Sequence, residues 1–354
     1  MPQPSQPIVR LPDREIGPDR PVFIIAEAGV NHNGDLALAR RLVDAAVEAG
    51  ADAVKFQAFK AEEVVSVGAA KAEYQVATSG GGESQLDMVR KLELSAAAFR
   101  ELQTYCTQRG ILFLATPFDF GSVDLLAEMN VPLFKISSGE VTNLPFLEYV
   151  AGQGKPLILS TGMCFLGEVD EAVRLLQRAG VEELVLLHCT SNYPTRPEDV
   201  NLRAMQTLGA AFGLPVGYSD HTTGIAVSLA AAALGACVIE KHFTLDRTLP
   251  GPDHQASLEP AELTAMVRGI RTIEAALGDP IKQRVASEDG VAQVARRSLV
   301  ASRDLAAGTV LTRDLIAIKR PGTGLQPALL AHLLGRKLRV DVAYDQLFEL
   351  GFLE

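Results

Sequence analysis

Between Gly217 and Pro260 the chain gathers three of its six histidines, His221, His242 and His254, with the carboxylates Asp220, Glu240, Asp246 and Asp253. Two short apolar runs, Leu214–Tyr218 and Ala236–Glu240, flank a small-residue helical stretch from Ile225 to Leu234, and polar residues begin where each run stops. If the runs are neighbouring parallel strands, His221 and His242 leave the same edge of one sheet. Two neutral imidazoles there can share a divalent metal and leave positions open for water and a substrate oxygen. Elsewhere Lys55 and Lys135, with Ser and Thr hydroxyls nearby, suit a small ligand carrying several negative charges, phosphate or carboxylate. Glu27 and Asp253 can bind sugar hydroxyls or move protons, while Gln57 and Tyr193 add neutral hydrogen bonds. A metal, an anionic phosphate ester and a polyol in one site fit carbon–carbon bond formation to an aldehyde.

These residues need a scaffold that brings distant segments together. From Pro21 to Leu277 apolar runs alternate with amphipathic helical patterns. Strands are expected at Val22–Ala26, Ala53–Phe56, Leu112–Ala115, Leu133–Ile136, Leu157–Leu159, Leu184–Leu187, Pro215–Gly217 and Cys237–Ile239. Helices are expected at Leu36–Ala49, Ala96–Arg109, Val123–Met129, Leu144–Val150, Val169–Ala179, Leu202–Ala211, Ile225–Leu234 and Ala261–Leu277. Short buried strands alternating with helices imply a parallel sheet, and eight such units suit a closed α/β barrel of the (β/α)8, or TIM, type. An open doubly wound sheet is the alternative, but no glycine fingerprint for a dinucleotide follows the first strand.

In such a barrel the reactive side chains gather at the C-terminal strand ends. Taken in order, those ends read Glu27 and then Asn31 and His32, Lys55 and Gln57, Thr116, Lys135 with Ser138 and Glu140, Ser160, His188 with Asn192 and Tyr193, Ser219 with His221, and Glu240 with His242. Eight polar ends on one face describe a substrate site. Plainer roles exist for several of them. Glu27 can pair with Lys241 or an arginine, and Lys55 and Lys135 can be structural ion-pair partners. Asn31, His32 and Asn33 can form a turn and cap the first helix. His188 reads as a packed or supporting histidine, and His254 can be a solvated loop residue. Residues 57–94 are too long for a simple βα loop and suggest a mobile lid or a sugar-binding rim, with Gly80–Gly82 as its flexible point.

After Leu277 the pattern changes. Residues 279–295 read as a polar connector with a helical piece, separating a barrel over 1–278 from a small β-rich or mixed domain over 296–354. The chain carries a formal net charge of -10, which argues against general nucleic-acid affinity. The distribution is uneven. Residues 296–354 hold 9 Lys/Arg against 6 Asp/Glu, net +3, and the remainder holds 24 against 37, net -13. A basic end on an acidic body can bring positive charge to a site that handles anions. No apolar run is long enough for a membrane span, and the proline-rich start has no signal-peptide core. It reads as a leader packed on or near the barrel. Cys106, Cys164, Cys189 and Cys237 are scattered, which fits buried thiols in a reducing cytoplasm.

The chain resembles the N-acetylneuraminate (sialic acid) synthases and their relatives for legionaminic and pseudaminic acid. The resemblance covers nearly the whole chain and rests on IAEAGVNHNGD, AVKFQAF, ATPFD, FKISSGE, LSTGM, HCTSNYPT, GYSDHT, EKHFTLDR and GPDHQASLEP, in that order. It continues into RRSLVASRDLAAGTVLTRDLIAIKRPGTGL, which resembles type III antifreeze proteins and implies a C-terminal antifreeze-like (SAF) domain. The resemblance implies a transferase that condenses phosphoenolpyruvate with an N-acetylated hexosamine, N-acetylmannosamine or 2,4-diacetamido-2,4,6-trideoxymannose, and water. The products would be a nine-carbon 2-keto sugar acid and phosphate, with C–O cleavage. It implies that His221 and His242 bind Mn2+, with Mg2+ or Co2+ as substitutes. Lys55, Thr116, Lys135 and Ser138 would hold the carboxylate of phosphoenolpyruvate, and Ser138, Ser160 and Ser219 would lie near its phosphate. Glu27, Gln57, Tyr193 and Asp253 would face the sugar, and Glu240 would lie near the metal and handle protons. The implied assembly is a domain-swapped homodimer in which the antifreeze-like domain caps the partner barrel and Arg320 reaches the sugar's N-acetyl group. One departure stands out. Some relatives have asparagine two residues before the matching tyrosine, where this chain has Ser191, with Asn192 shifted by one.

Two other readings compete. A 3-deoxy sugar-phosphate synthase would handle a second phosphate and favour more arginines at the strand ends, which here carry hydroxyls and carboxylates. A carbohydrate-binding protein would have no need of paired histidines and two lysines at the barrel mouth.

Overall fold

The computed structural model describes residues 8–71, 75–76 and 82–354. It divides into two compact units, Met1–Gly278 and Asp279–Glu354. In the first, a hairpin of β1 (Val9–Leu11) and β2 (Arg14–Ile16) precedes eight parallel strands. These are β3 (Phe23–Gly29), β4 (Ala53–Ala58), β5 (Leu112–Pro117), β6 (Phe134–Ile136), β7 (Leu157–Ser160), β8 (Leu184–Cys189), β9 (Val216–Asp220) and β10 (Val238–His242). The hydrogen-bonded order is β5-β4-β3-β10-β9-β8-β7-β6, and β5 lies beside β6 to complete the ring. This is the expected (β/α)8 architecture.

Strand periodicity sorts the side chains. Ile24, Ala26, Val54, Phe56, Phe113, Phe134, Ile136, Leu157, Leu159, Leu184, Leu186, Tyr218 and Ile239 point outward and pack with the helices in the main apolar core. Alternate residues point into the ring. At its lower end Phe23, Ile25, Ala53, Leu114, Leu133, Ile158, Val185, Leu187 and Val238 form a second core with Val9, Leu11 and Ile16 of the hairpin, so the leader plugs the barrel floor. Gly217 belongs to this inward set. A Cβ there would lie 2.5 Å from the Val238 carbonyl oxygen and 2.7 Å from Leu187 Cδ2, so the packed interior admits no side chain. One step further up, the same inward positions become polar.

The helices Leu36–Ala49 and Ala96–Arg109 have the bounds read from the sequence, because both ends carry strong signals. Asp35 accepts from the backbone N–H groups of Ala37 and Leu38, and Gly50 follows at φ +79° in the left-handed region. Asp35 is therefore the cap of the first helix, not the Asn31–Asn33 turn. Seven of the eight strands run beyond the expected ends by one to three residues, β6 alone stopping at Ile136 as expected, so Glu27, Gln57, Thr116, Ser160, Ser219, Glu240 and His242 lie within strands. The long 57–94 segment is not a plain loop either. It contains the helices Ala61–Val64 and Gln85–Arg90, the second capped by Ser84, whose hydroxyl accepts from Asp87 N–H. Gly80 and Gly81 lie outside the described residues.

The second unit opens with a 3-10 turn at Ala286–Glu288 and the helix Asp289–Ala295. Then β11 (Ser298–Ala301) pairs antiparallel with β12 (Ile316–Lys319) around a small core of Leu299, Leu311, Leu315, Leu333, Leu338 and Phe348. Among the described residues no helix is long and apolar enough to cross a membrane.

Candidate active site

The register of the ring places Glu27 beside Lys55 on one side and His242 on the other, with Gln57 beside Thr116 and Glu240 beside Ser219. All of these point inward above the apolar plug, and they line a cavity of about 280 Å³ at the C-terminal strand ends. Lys135, Ser138, Ser160, Tyr193, His221 and Asp253 add to its polar surface, with Gln75 and Gln85 also in the lining. One expected residue lies off this surface, and another lies on the second unit, where the resemblance put it. Glu140 does not line the cavity, and its carboxylate accepts from Asn143 Nδ2 at 2.7 Å. Arg320 belongs to the second unit, where it is exposed and its Nε donates to the Ala295 carbonyl oxygen at 3.1 Å.

At the floor, two carboxylates and two ammonium groups interlock out of contact with bulk water. Lys55 Nζ lies 2.7 Å from Glu27 Oε2 and 3.5 Å from Glu240 Oε2, and it donates to Thr116 Oγ1 at 3.0 Å. Lys135 Nζ lies 3.2 Å from Glu240 Oε1, which also accepts from Ser219 Oγ at 2.9 Å. The partner of Glu27 is therefore Lys55. Lys241 faces the other way, onto Asp220 at 3.0 Å, because adjacent strand residues point to opposite faces.

Burial disfavours every charge here, and the neighbours decide each outcome. For Glu240 the opposing charges of Lys135 and Lys55 overcome burial and hold its pKa at about 2. For Glu27 burial wins over Lys55, with Glu240 adding repulsion, and its pKa rises to about 7. Burial works against the Lys55 ammonium, but Glu240 and Glu27 outweigh it and raise its pKa. Lys135 has less support, and burial lowers its pKa. The carboxyl suited to exchanging a proton near neutrality is Glu27, while Glu240 is a fixed anion. Asp253, with burial as the only cause, is pushed up to about 6.

The imidazoles stand on the adjacent strand ends, with ring centroids 5.6 Å apart. Burial lowers the pKa of His221 to about 4 and that of His242 well below the usual value, so both are neutral. His221 Nδ1 donates to the Thr190 carbonyl oxygen at 2.7 Å, which leaves Nε2 as the basic nitrogen. His242 Nδ1 is buried with no hydrogen-bond partner among the described residues. Two neutral rings, one with its tautomer fixed and one with an unpartnered nitrogen, fit a divalent ion. Among the described residues no group of three or more His, Cys, Asp or Glu is arranged to hold a metal, so these two rings are the donors the cavity would offer to one. The Tyr193 ring lies 4.2 Å from that of His221 and 5.6 Å from that of His242.

Beside Lys135 lies a pocket of hydroxyls. Ser160 Oγ is buried without a partner among the described residues, and Ser138 Oγ and Ser191 Oγ are 3.1 Å apart. Gly162 backs them. A Cβ there would come within 2.8 Å of Cys189 Sγ and 3.2 Å of Ser138 Oγ. Missing hydrogen-bond partners, a bare backbone and a lysine together make a seat for anionic oxygens.

The remaining histidines of the first unit have structural roles. His188 points outward, and its Nε2 donates to the Val200 carbonyl oxygen. His254 is fully buried and hydrogen-bonds with Thr244 Oγ1, so it is not a solvated loop residue. His32 is buried, with Nδ1 accepting from Gly34 N–H. Reading the sequence by strand ends missed Ser137 and Cys189 in the lining, although both keep step with Lys135 and Leu187 on the inward parity. It also missed an apolar wall of Val30, Phe59, Val89, Leu92 and Phe118.

Comparison with known proteins agrees with this geometry. A model described as the NeuB family matches residues 42–282, and one described as the SAF domain matches residues 296–350. The chain belongs to the NeuB family. Among relatives in that family, it is 51% identical to the N,N'-diacetyllegionaminic acid synthase of Campylobacter jejuni, across 92% of this chain and 98% of that protein. It is 41% identical to the human N-acetylneuraminate-9-phosphate synthase, across 94% of this chain and 93% of that protein. A solved structure of the N-acetylneuraminic acid (sialic acid) synthetase of Leptospira borgpetersenii, a complex with citrate, matches with a TM-score of 0.72 and 39% identity. The match covers 82% of this chain and 96% of that one. The relatives named here are synthases, and the SAF domain follows the barrel as expected.

Proposed function

We propose that this NeuB-family chain is a nonulosonic acid synthase. It joins C3 of phosphoenolpyruvate to the aldehyde carbon of an open-chain N-acetylated hexosamine. Water adds at C2, and the resulting tetrahedral phosphate adduct collapses with C–O cleavage to a nine-carbon 2-keto sugar acid and inorganic phosphate. The observation that carries this reading is the floor itself: two buried lysines beside unpartnered hydroxyls, with a carboxyl of pKa about 7 and two neutral imidazoles within one cavity.

Each group has a task that its surroundings support. Lys55 and Lys135, with Thr116 and Ser138, hold the carboxylate of phosphoenolpyruvate. Ser138, Ser160 and Ser219 lie on the phosphate side, where Ser160 Oγ has no other partner among the described residues. Glu27 is protonated below about pH 7 and donates that proton to the aldehyde oxygen as the new bond forms. Glu240 stays ionised and fixes the two ammonium groups. Gln57, Tyr193 and Asp253 orient the sugar. His221 and His242 would hold a divalent ion, Mn2+ first, with Mg2+ or Co2+ as substitutes, and when bound it supplies Lewis acidity toward the acceptor carbonyl and water. The reading includes a homodimer in which the SAF domain of one chain brings Arg320 to the partner's sugar, in keeping with the net +3 of residues 296–354. A cytoplasmic location suits the free cysteines.

The test is mass spectrometry of products after incubating the protein, phosphoenolpyruvate and Mn2+ with each candidate amino sugar in turn. A nine-carbon 2-keto acid and released phosphate, lost with a chelator and in His221→Ala, are expected. Intact phosphoenolpyruvate with every sugar and a folded protein would sink the proposal, and undiminished turnover in chelator would remove the metal from it.

A further inference from the structure

We propose that the apolar wall of the cavity selects an acceptor whose far end is uncharged and methyl-bearing, and that it turns away the same sugar carrying a phosphate at C6. The inference rests on the synthase reading above and names the substrate class within it.

Val30, Phe59, Leu92, Val89 and Phe118 form an apolar cluster of their own, separate from both cores of the barrel. The first two follow β3 and β4, Phe118 follows β5, and Val89 and Leu92 come from the helix Gln85–Arg90 and the turn after it. Phe59 and Phe118 pack edge to face with centroids 6.4 Å apart. All five side chains line the cavity. They have no part in the chemistry, which lies at the floor where lysines, hydroxyls and imidazoles converge. The aldehyde carbon of the acceptor must lie at that floor to meet phosphoenolpyruvate. The substituents on C4 to C6 therefore leave it along the wall that rises from β3, β4 and β5.

Charge supports the same conclusion. Among the described residues Lys55 and Lys135 are the cations of the cavity lining, and both are engaged at the floor with Glu27 and Glu240. The undescribed stretches 72–74 and 77–81 read AEY and ATSGG and contain no lysine or arginine. The other cations of the segment are tied to its own carboxylates: Lys60 to Glu93, Lys71 and Lys91 to Glu83, and Arg90 to Glu62. A C6 phosphate would place about -1.5 to -2 charges against a wall to which the described cavity lining brings no further guanidinium or ammonium, and in the proposed dimer Arg320 is engaged with the N-acetyl group instead. A C6 methyl and the methyl of a C4 acetamido group would instead gain apolar contact.

The test uses the full chain with phosphoenolpyruvate and Mn2+, and measures kcat/KM for three acceptors. These are 2,4-diacetamido-2,4,6-trideoxymannose, N-acetylmannosamine and N-acetylmannosamine 6-phosphate. The expected order is the one just given, with the trideoxy sugar about 10–200-fold ahead of N-acetylmannosamine. Val89→Lys, a half-buried helix position that tolerates a long side chain, should raise the 6-phosphate relative to the trideoxy sugar by about tenfold or more. Phe59→Ala should raise KM for the trideoxy sugar more than for N-acetylmannosamine. A native protein that prefers the 6-phosphate overturns this inference and leaves the synthase reading standing, as does an acceptor ratio that neither variant moves. Turnover of none of the three sugars overturns the synthase reading, and this inference with it.

Discussion

Glu240 and Lys241 are neighbours on β10, both charged and both buried, yet the networks they join differ in kind. Lys241 faces outward. Its Nζ pairs with Asp220 at 3.0 Å and donates to the Thr222 carbonyl oxygen. Asp220 in turn accepts from Thr222 N–H and Oγ1 and from Ser228 Oγ, so the network is saturated. Glu240 faces the cavity, where Ser160 Oγ and His242 Nδ1 lack partners among the described residues and Glu27 shares Lys55 with Glu240. A saturated buried network holds the fold in one arrangement. An unsaturated one keeps hydrogen-bonding capacity for a ligand, at a cost to stability.

The largest effect that separates the two networks should come from Glu27. Glu27→Gln is expected to lower kcat by about 10²–10⁴-fold. It should also change the pH profile. In the native protein activity should fall as pH rises through about 7, because the donor loses its proton, and this limb should vanish in the variant. Stability gives an independent reading. A carboxyl whose folded pKa is raised from 4.5 to about 7 contributes stability that is full below 4.5 and lost as pH rises through 7. Glu27→Gln should therefore gain stability relative to the native chain across that window, in urea titrations at successive pH values. A difference that stays flat from pH 4 to 8 would mean that Glu27 does not titrate there.

Two lysine substitutions sharpen the contrast. Lys241→Met leaves Asp220 buried without its cation and should cost about 3–5 kcal/mol, while turnover per folded molecule is kept. Lys135→Met should lower kcat/KM for phosphoenolpyruvate by about 10²–10³-fold. Its unfolding midpoint should match or exceed the native value, because burial already lowers the Lys135 pKa and Glu240 keeps Lys55 and Ser219. Equal destabilisation by both substitutions would erase the distinction between the networks.

The same parity explains how much the sequence could reveal. Eight strands and eight helices were legible because the runs are apolar and the caps are strong, as at Asp35 and Gly50. Most expected site residues met in one cavity, because polar residues at the top of a parallel strand have few other places to go. What strand ends do not convey is direction. Counting in twos from Phe23 to Glu27, from Val238 to His242 and from Val185 to Cys189 marks the inward set. It puts His188 and Lys241 outside and Cys189 inside, which a reading by strand ends alone left open. The apolar wall was hidden for another reason. Its five residues come from separate segments with no shared period, and only the fold makes them adjacent. The burial of His254 depends in the same way on Thr244, ten residues away in the chain.

Asp253 gives the smallest and most local test of the comparison. It comes from a loop rather than a strand, yet that loop is pinned to the ring. Ser257 Oγ donates to the Asp253 carbonyl oxygen at 2.7 Å, and Asn31 Nδ2 donates both to Ser257 Oγ and to the Phe243 carbonyl oxygen. With the backbone held there, the side chain is free to serve the cavity, and Asp253→Asn should raise KM for the amino sugar by about tenfold with kcat little changed. Because burial lifts its pKa from 3.8 to about 6, the native carboxylate is neutral below 6 and resembles the asparagine. The difference in KM should therefore fade as pH falls below 6. The stability linked to the raised pKa is full below 3.8 and lost as pH rises through 6, so the variant should gain relative stability over that range. A KM gap that persists unchanged at pH 5 would show that the charge of Asp253 has no part in holding the sugar, and would leave its role to shape alone.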